Sequence, residues 1–97
     1  MMSEGEQMVE QNIKIAEYLV RETKERLKDA TKRSTGIPLT CKMQLRDDCR
    51  LVENKIASLQ KGRQTDKKIE ALSNAVLRLK TTSETILEWQ FNPLDAL

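Results

Sequence analysis

Apolar residues recur in alternating steps of four and three along three stretches of the chain. The stretches comprise Val9, Ile13, Ala16, Val20, Thr23, Leu27 and Ala30, then Leu45, Cys49, Val52, Ile56 and Leu59, then Ile69, Leu72, Val76, Leu79, Ser83 and Ile86. A period of 3.5 residues keeps one narrow side of a helix against a neighbouring helix. The pattern therefore predicts an all-α protein built by coiled-coil packing.

The clearest break in the pattern lies between the first two stretches. Gly36 is suited to a left-handed helix end, and Pro38 disfavours a helical conformation at the residue before it. The sequence predicts helix 1 over about residues 4–33, a turn over 34–38 and helix 2 over about 39–61. A connection this short favours an antiparallel coiled-coil hairpin.

A second joint, over residues 62–66, allows two architectures. Gly62 offers a helix end and Thr65 or Asp66 a new helix start, which favours a turn and a three-helix bundle. The alternative is a continuous bent helix, which would give a hairpin with an extended dimerisation helix. Helix 3 is expected over about 66–90 with a tail over 91–97, and the whole of 1–97 is interpreted as a single helical domain.

The composition is typical of a helical protein with a thin core. Charged residues make up 33% of the chain and aromatic residues 3%, with a net charge of +2. Small domains with little core material often gain stability by oligomerising. We therefore expect a helical protein partner, self-association, or both.

Residues that carry enzyme chemistry are sparse. The chain has no histidine, and its three glycines are widely separated, so it has neither the usual general base nor a phosphate-binding loop. Asp47 and Asp48 point about 100° apart on a helix, which indicates a solvated face. Cys41 and Cys49 are about 12 Å apart along helix 2 and are expected to be reduced thiols. The sequence predicts no enzyme, no catalytic or metal site, no cofactor and no small-molecule substrate.

Basic residues cluster in the second half of helix 1 and around the second joint. Acidic residues are mixed among them and no aromatic side chain is interleaved, so nucleic-acid binding is not the favoured interpretation. No apolar run is long enough to span a membrane, and the first 30 residues lack a secretory signal. The expected location is intracellular, in the cytoplasm or the nucleus.

Two apolar clusters are candidates for partner binding. The polar second half of helix 1 is expected to leave the end of helix 3 uncovered, which points to Leu79, Ile86, Trp89 and Phe91. The alternative is that Trp89 and Phe91 fold over residues 37–39 and cap the end of the bundle internally. The contact surface would then be the second apolar stripe of helix 1, formed by Met8, Ile15 and Leu19.

These features predict a non-enzymatic coiled-coil interaction module, a small scaffold or adaptor subunit that assembles with another helical protein. Over Asn12 to Leu59, the order of an Ile-rich helix, a polar turn and a Leu-rich helix resembles the Rho-binding HR1 repeat. That resemblance implies GTPase binding as the alternative function, although no short motif identifies GTPase-contacting residues. The layout is equally similar to small helical subunits of kinetochore, tethering and trafficking complexes. A basic helical nucleic-acid-binding protein is the second alternative.

Overall fold

Three α-helices and one short 3₁₀-helix make up the part of the chain that the structure describes. The computed structural model describes residues 4–33 and 36–97, so Ser34 and Thr35 of the predicted turn lie outside the described residues, as do residues 1–3. The helices are α1 (Glu4–Lys32), α2 (Leu39–Lys61) and α3 (Asp66–Leu87), followed by the 3₁₀-helix Pro93–Ala96. Each of the three α-helices contacts the other two, so the fold is an all-α three-helix bundle.

The connection between α1 and α2 follows the local chemistry of its residues. Gly36 has a φ of +71°, the left-handed conformation that glycine adopts without steric cost. Pro38 is the last residue before α2, and its carbonyl accepts hydrogen bonds from the amides of Cys41 and Lys42 at 3.0 and 3.1 Å. The proline thus starts the helix through its fixed φ and its carbonyl group.

The chain also turns between α2 and α3, which distinguishes the two architectures that the sequence allowed. Gly62 ends α2 in an extended conformation. Thr65 then starts α3, because its hydroxyl accepts a hydrogen bond from the amide of Lys68 at 3.2 Å. The turn returns α3 along the hairpin and closes the bundle.

The core runs along the centre of an elongated bundle of 48 × 23 × 17 Å. Its largest fully buried apolar side chains are Leu19, Leu45, Leu59, Leu72, Leu79 and Val52. One acidic residue joins the interface of α2 with α3: Asp48 is buried, accepts a hydrogen bond from Gln44 at 3.1 Å and forms an ion pair with Arg78 at 3.3 Å. The expectation that Asp47 and Asp48 form a solvated acidic pair is therefore wrong for Asp48, because α3 packs over it.

Helix α3 ends three residues before the expected position. Glu88 follows Leu87 with a φ of 53°, a left-handed conformation that stops the helix without a glycine. Beyond it, the side chain of Asn92 accepts from the amide of Leu94, and Pro93 opens the 3₁₀-helix. Residues 88–97, called the C-terminal strap below, therefore return along the bundle and contact α1.

Candidate helix-binding groove

The C-terminal strap covers the groove between α1 and α3 with two aromatic rings. The ring of Phe91 lies 6.0 Å from that of Tyr18 and 6.0 Å from that of Trp89. The guanidinium of Arg26 stacks over Trp89 at 4.0 Å from the ring centre. An arginine of the polar half of α1 thus covers the aromatic side chain that this half was expected to leave exposed.

Polar contacts fix the strap in this groove. The indole N–H of Trp89 donates to the Ser83 hydroxyl at 2.8 Å, and this hydroxyl is also hydrogen-bonded to that of Thr23 at 3.0 Å. Thr23 and Ser83 are fully buried, so these two polar positions of the helical repeat satisfy each other across the α1–α3 interface.

The backbone of the strap has an anchor of its own. The amide of Phe91 donates to the carboxylate of Glu84 at 2.8 Å, and Lys80 donates to the same group at 3.1 Å. The Phe91 amide, followed by Lys80, holds the pKa of the Glu84 carboxyl below its ordinary value of 4.5. The strap is thus held by a charge-assisted hydrogen bond as well as by its aromatic rings.

The structure places the predicted contact residues mainly inside the bundle. Leu79 and Leu19 are fully buried and Phe91 is 5% exposed, so the premise that helix 1 leaves the end of helix 3 uncovered is wrong for Leu79 and Phe91. Ile15, Ile86 and Trp89 are partly buried against the core. Ile86 also lines a cavity of about 410 Å³ between α1, the first connection and the end of α3.

Met8 is the exception in this set, with 64% of its surface exposed. A partner-binding role for the seven residues stays a prediction. Trp89 and Phe91 pack internally, against Arg26 and Tyr18 along the side of α1, whereas the alternative places them over residues 37–39 at the end of the bundle.

A different surface stays open, along the groove between α1 and α2. Three cavities of about 650, 350 and 340 Å³ follow one another along it. Glu17 borders both the first and the second cavity, while Lys24 and Glu53 border both the second and the third. The cavities share these bordering residues, and the Lys24–Glu53 ion pair of 2.8 Å joins α1 to α2 where the second cavity meets the third. Among the described residues, the lining of this row of cavities comes from α1, α2 and Gln64 alone. We call it the α1–α2 groove.

Apolar side chains form the floor of the α1–α2 groove. They are Val9, Ile13, Val20 and Leu27 of α1 and Cys49 and Ile56 of α2. All but Ile13 are largely buried, so the groove exposes only their edges between rims of charged and amide side chains. From Val9 to Leu27 the groove follows about 27 Å of α1, at 1.5 Å of rise per residue.

Sequence reasoning missed this groove. The four α1 floor positions belong to the first heptad stretch, which predicts a single neighbour and gives no sign that one flank remains open. Leu39 and Met43 of α2, four residues apart, are both more than half exposed next to the first connection, but neither lines the groove, so they gave no signal of it.

Nucleophilic and metal chemistry have little support at this groove. Burial raises the pKa of the Cys49 thiol to about 11, so the thiol is neutral near pH 7 and a poor nucleophile. Within residues 4–33 and 36–97, no group of acidic and cysteine side chains is arranged to hold a metal ion. None of the helices in this part of the chain combines the length and apolarity needed to cross a bilayer.

Comparison with known proteins leaves the groove as the main guide to function. The chain matches no protein-family model, no curated protein and no solved structure at a significant level. The likeness to HR1 repeats therefore stays a resemblance in the order of the elements, and the functional argument rests on the geometry and charge of the molecule itself.

Proposed function

We propose that this chain is a non-enzymatic helical adaptor that binds an α-helix of another protein in its α1–α2 groove. The observation that carries the proposal is the row of three open, apolar-floored cavities between two antiparallel helices. A helix laid into such a groove buries its own apolar stripe and completes a four-helix arrangement. The intracellular location expected from the sequence is part of this proposal.

The dimensions of the groove suit a helical ligand. Its length of about 27 Å accommodates about five helical turns, which is enough for three or four apolar anchor positions spaced at three and four residues. A small-molecule site would instead be an enclosed pocket with a few converging polar groups. Here the depression is long and bordered along its whole length by rim charges.

Site-specific photo-cross-linking tests the proposal. A photo-reactive residue in place of Glu17, which is exposed and borders two of the cavities, should cross-link in cells to a helical segment of another protein. The matched control carries the same residue in place of Leu77, an exposed apolar position on α3 outside the groove lining. Mass spectrometry of the linked peptides identifies the partner segment.

The outcomes separate the candidate functions. Cross-links from position 17 to a helix, with few from position 77, support the proposal. Cross-links from position 17 to a small GTPase would favour the HR1-like alternative, and products from position 77 alone would contradict the groove as the binding site. A second copy of this chain as the product would replace the adaptor by a homo-oligomer.

A further inference from the structure

The charge of the α1–α2 groove changes sign along its length. The two cavities farther from the first connection are bordered by Glu10, Glu17, Glu25 and Glu53 against Lys14, Arg21 and Lys24. The third cavity, nearest that connection, is bordered by Lys24, Arg46 and Arg50 against Glu53 alone. One end of the groove is therefore basic and the remainder slightly acidic.

The two arginines at the basic end are available to a ligand. Lys24 forms an ion pair with Glu53 at 2.8 Å, but Arg46 and Arg50 are exposed and form no ion pair among the described residues. The spacing from Leu39 through Met43 and Arg46 to Arg50 is four, three and four residues. These exposed apolar and basic side chains therefore share one side of α2.

The charge difference extends beyond the groove lining. Residues 24–50, which form the end of the hairpin around the first connection, contain eight basic and four acidic side chains. The rest of the chain contains nine basic and eleven acidic side chains. A ligand with acidic groups at one end is therefore attracted to the hairpin end and held in one orientation.

We infer that the occupant of the α1–α2 groove is an amphipathic helix with acidic residues at one end, where they pair with Arg46 and Arg50, and neutral or basic residues along the remainder. The inference rests on the proposed function and specifies its partner. A nucleic acid fits less well, because its phosphates would run past Glu10, Glu17, Glu25 and Glu53 in the rest of the groove.

Two synthetic helices of equal composition test the inference. Each has about 18 residues, the span of the groove, with apolar residues at 3.5-residue spacing and lactam bridges on its outer side. One peptide carries its glutamates in the turns at one end and its lysines elsewhere. Its isomer carries the glutamates in the central turns and lysines at both ends, so neither binding direction brings acidic residues over Arg46 and Arg50.

Fluorescence anisotropy should show roughly tenfold tighter binding of the end-acidic peptide to the full chain, as expected for two exposed ion pairs gained and like-charge contacts avoided. The variant Arg46→Glu with Arg50→Glu should lose this preference while keeping its thermal unfolding midpoint. The control Lys55→Glu with Lys67→Glu changes the net charge equally, at a cavity between α2 and α3, and should keep the preference. The preference should weaken as salt is added.

Each result has a defined meaning. Equal binding of both peptides, or a preference that survives reversal of Arg46 and Arg50, overturns the inference but leaves the adaptor proposal in place. Binding of neither peptide also overturns it, and cross-linking from position 17 then decides separately on the proposed function. Tighter Arg46-dependent binding of a DNA oligonucleotide than of either peptide would identify a nucleic-acid site instead.

Discussion

Helix α1 borders two grooves, one that the C-terminal strap covers and one that stays open. On the α3 side, the C-terminal strap covers the groove with Trp89 and Phe91 and anchors them through Ser83 and Glu84. On the α2 side, the α1–α2 groove stays open above a floor of largely buried apolar side chains. Both are grooves between packed helices, yet only the first has an occupant from the described chain.

The difference lies in the polar groups that each groove offers. The α1–α3 groove presents fixed partners for particular strap atoms: a buried hydroxyl for the indole N–H and a carboxylate for a backbone amide. The α1–α2 groove presents exposed charged rims, with Lys24 paired to Glu53 and with Arg46 and Arg50 left without ion pairs among the described residues. The buried partners hold the strap within the chain, whereas Arg46 and Arg50 are the charges that the proposed partner helix would meet.

The largest expected effect comes from emptying the covered groove. Phe91→Ala removes a buried ring and should lower the free energy of unfolding by about 3 kcal/mol, the usual cost of such a truncation. Urea unfolding followed by circular dichroism measures it. Leu94→Ala, at a strap position that is 73% exposed, is the matched control and should change stability by less than about 0.5 kcal/mol. Equal effects of the two variants would show that the strap is not held by its aromatic ring.

The next effect concerns the hydroxyl that anchors Trp89. Ser83→Ala leaves the indole N–H and the Thr23 hydroxyl without their partner and should cost about 2 kcal/mol. Thr23→Val keeps the volume and leaves the Trp89–Ser83 bond intact, so it should cost only about 1 kcal/mol. Because Trp89 is the single tryptophan, a red shift of its emission in Ser83→Ala reports the freed ring. A larger cost for Thr23→Val than for Ser83→Ala would contradict this order of importance.

A smaller effect on stability is expected when one arginine from each groove is replaced by glutamine. Arg26→Gln removes the cation stacked over Trp89 and should cost about 0.5–1 kcal/mol. Arg50→Gln removes an unpaired cation from the open groove and should leave the free energy of unfolding nearly unchanged. A double-mutant cycle with Trp89→Leu isolates the stacking contribution, because Arg26→Gln should have no further effect once the ring is absent. A full effect of Arg26→Gln in that background would assign it to another contact of Arg26.

The smallest effect at neutral pH is expected at Glu84, and it becomes visible in acid. The folded-state pKa of this carboxyl is lowered, so its contribution to stability is present above its ordinary value of 4.5 and is lost as the pH falls through the folded-state value. Trp89 emission should therefore change below pH 4.5 in the wild type as the strap loosens. Glu84→Gln should abolish this acid-induced change in Trp89 emission, since the glutamine amide oxygen accepts from the Phe91 amide at every pH. An unchanged acid transition in Glu84→Gln would assign it to other carboxylates.

Part of this architecture follows from residues close together in the chain. The heptad spacing predicts three helices, Gly36 and Pro38 predict the first break, and Thr65 and Asn92 start the elements that follow them. These features are local because helix periodicity, end capping and left-handed turns depend on neighbouring residues. For the same reason, the sequence favoured a turn after Gly62 over a continuous helix.

The strap and the two grooves depend on contacts between distant residues, and only the tertiary structure decides them. Thr23 and Ser83 lie 60 positions apart and Trp89 joins them only after Glu88 has turned the chain back. A heptad pattern identifies the side of a helix that is buried but not how many neighbours share it, so it left the covering of Trp89 and Phe91 undecided. The sequence by itself determined three amphipathic helices and their turns. Tertiary packing decided that Trp89 and Phe91 cover the α1–α3 groove at Tyr18 and Arg26 and that the α1–α2 groove is open, because that choice depends on which side chains from separate helices meet.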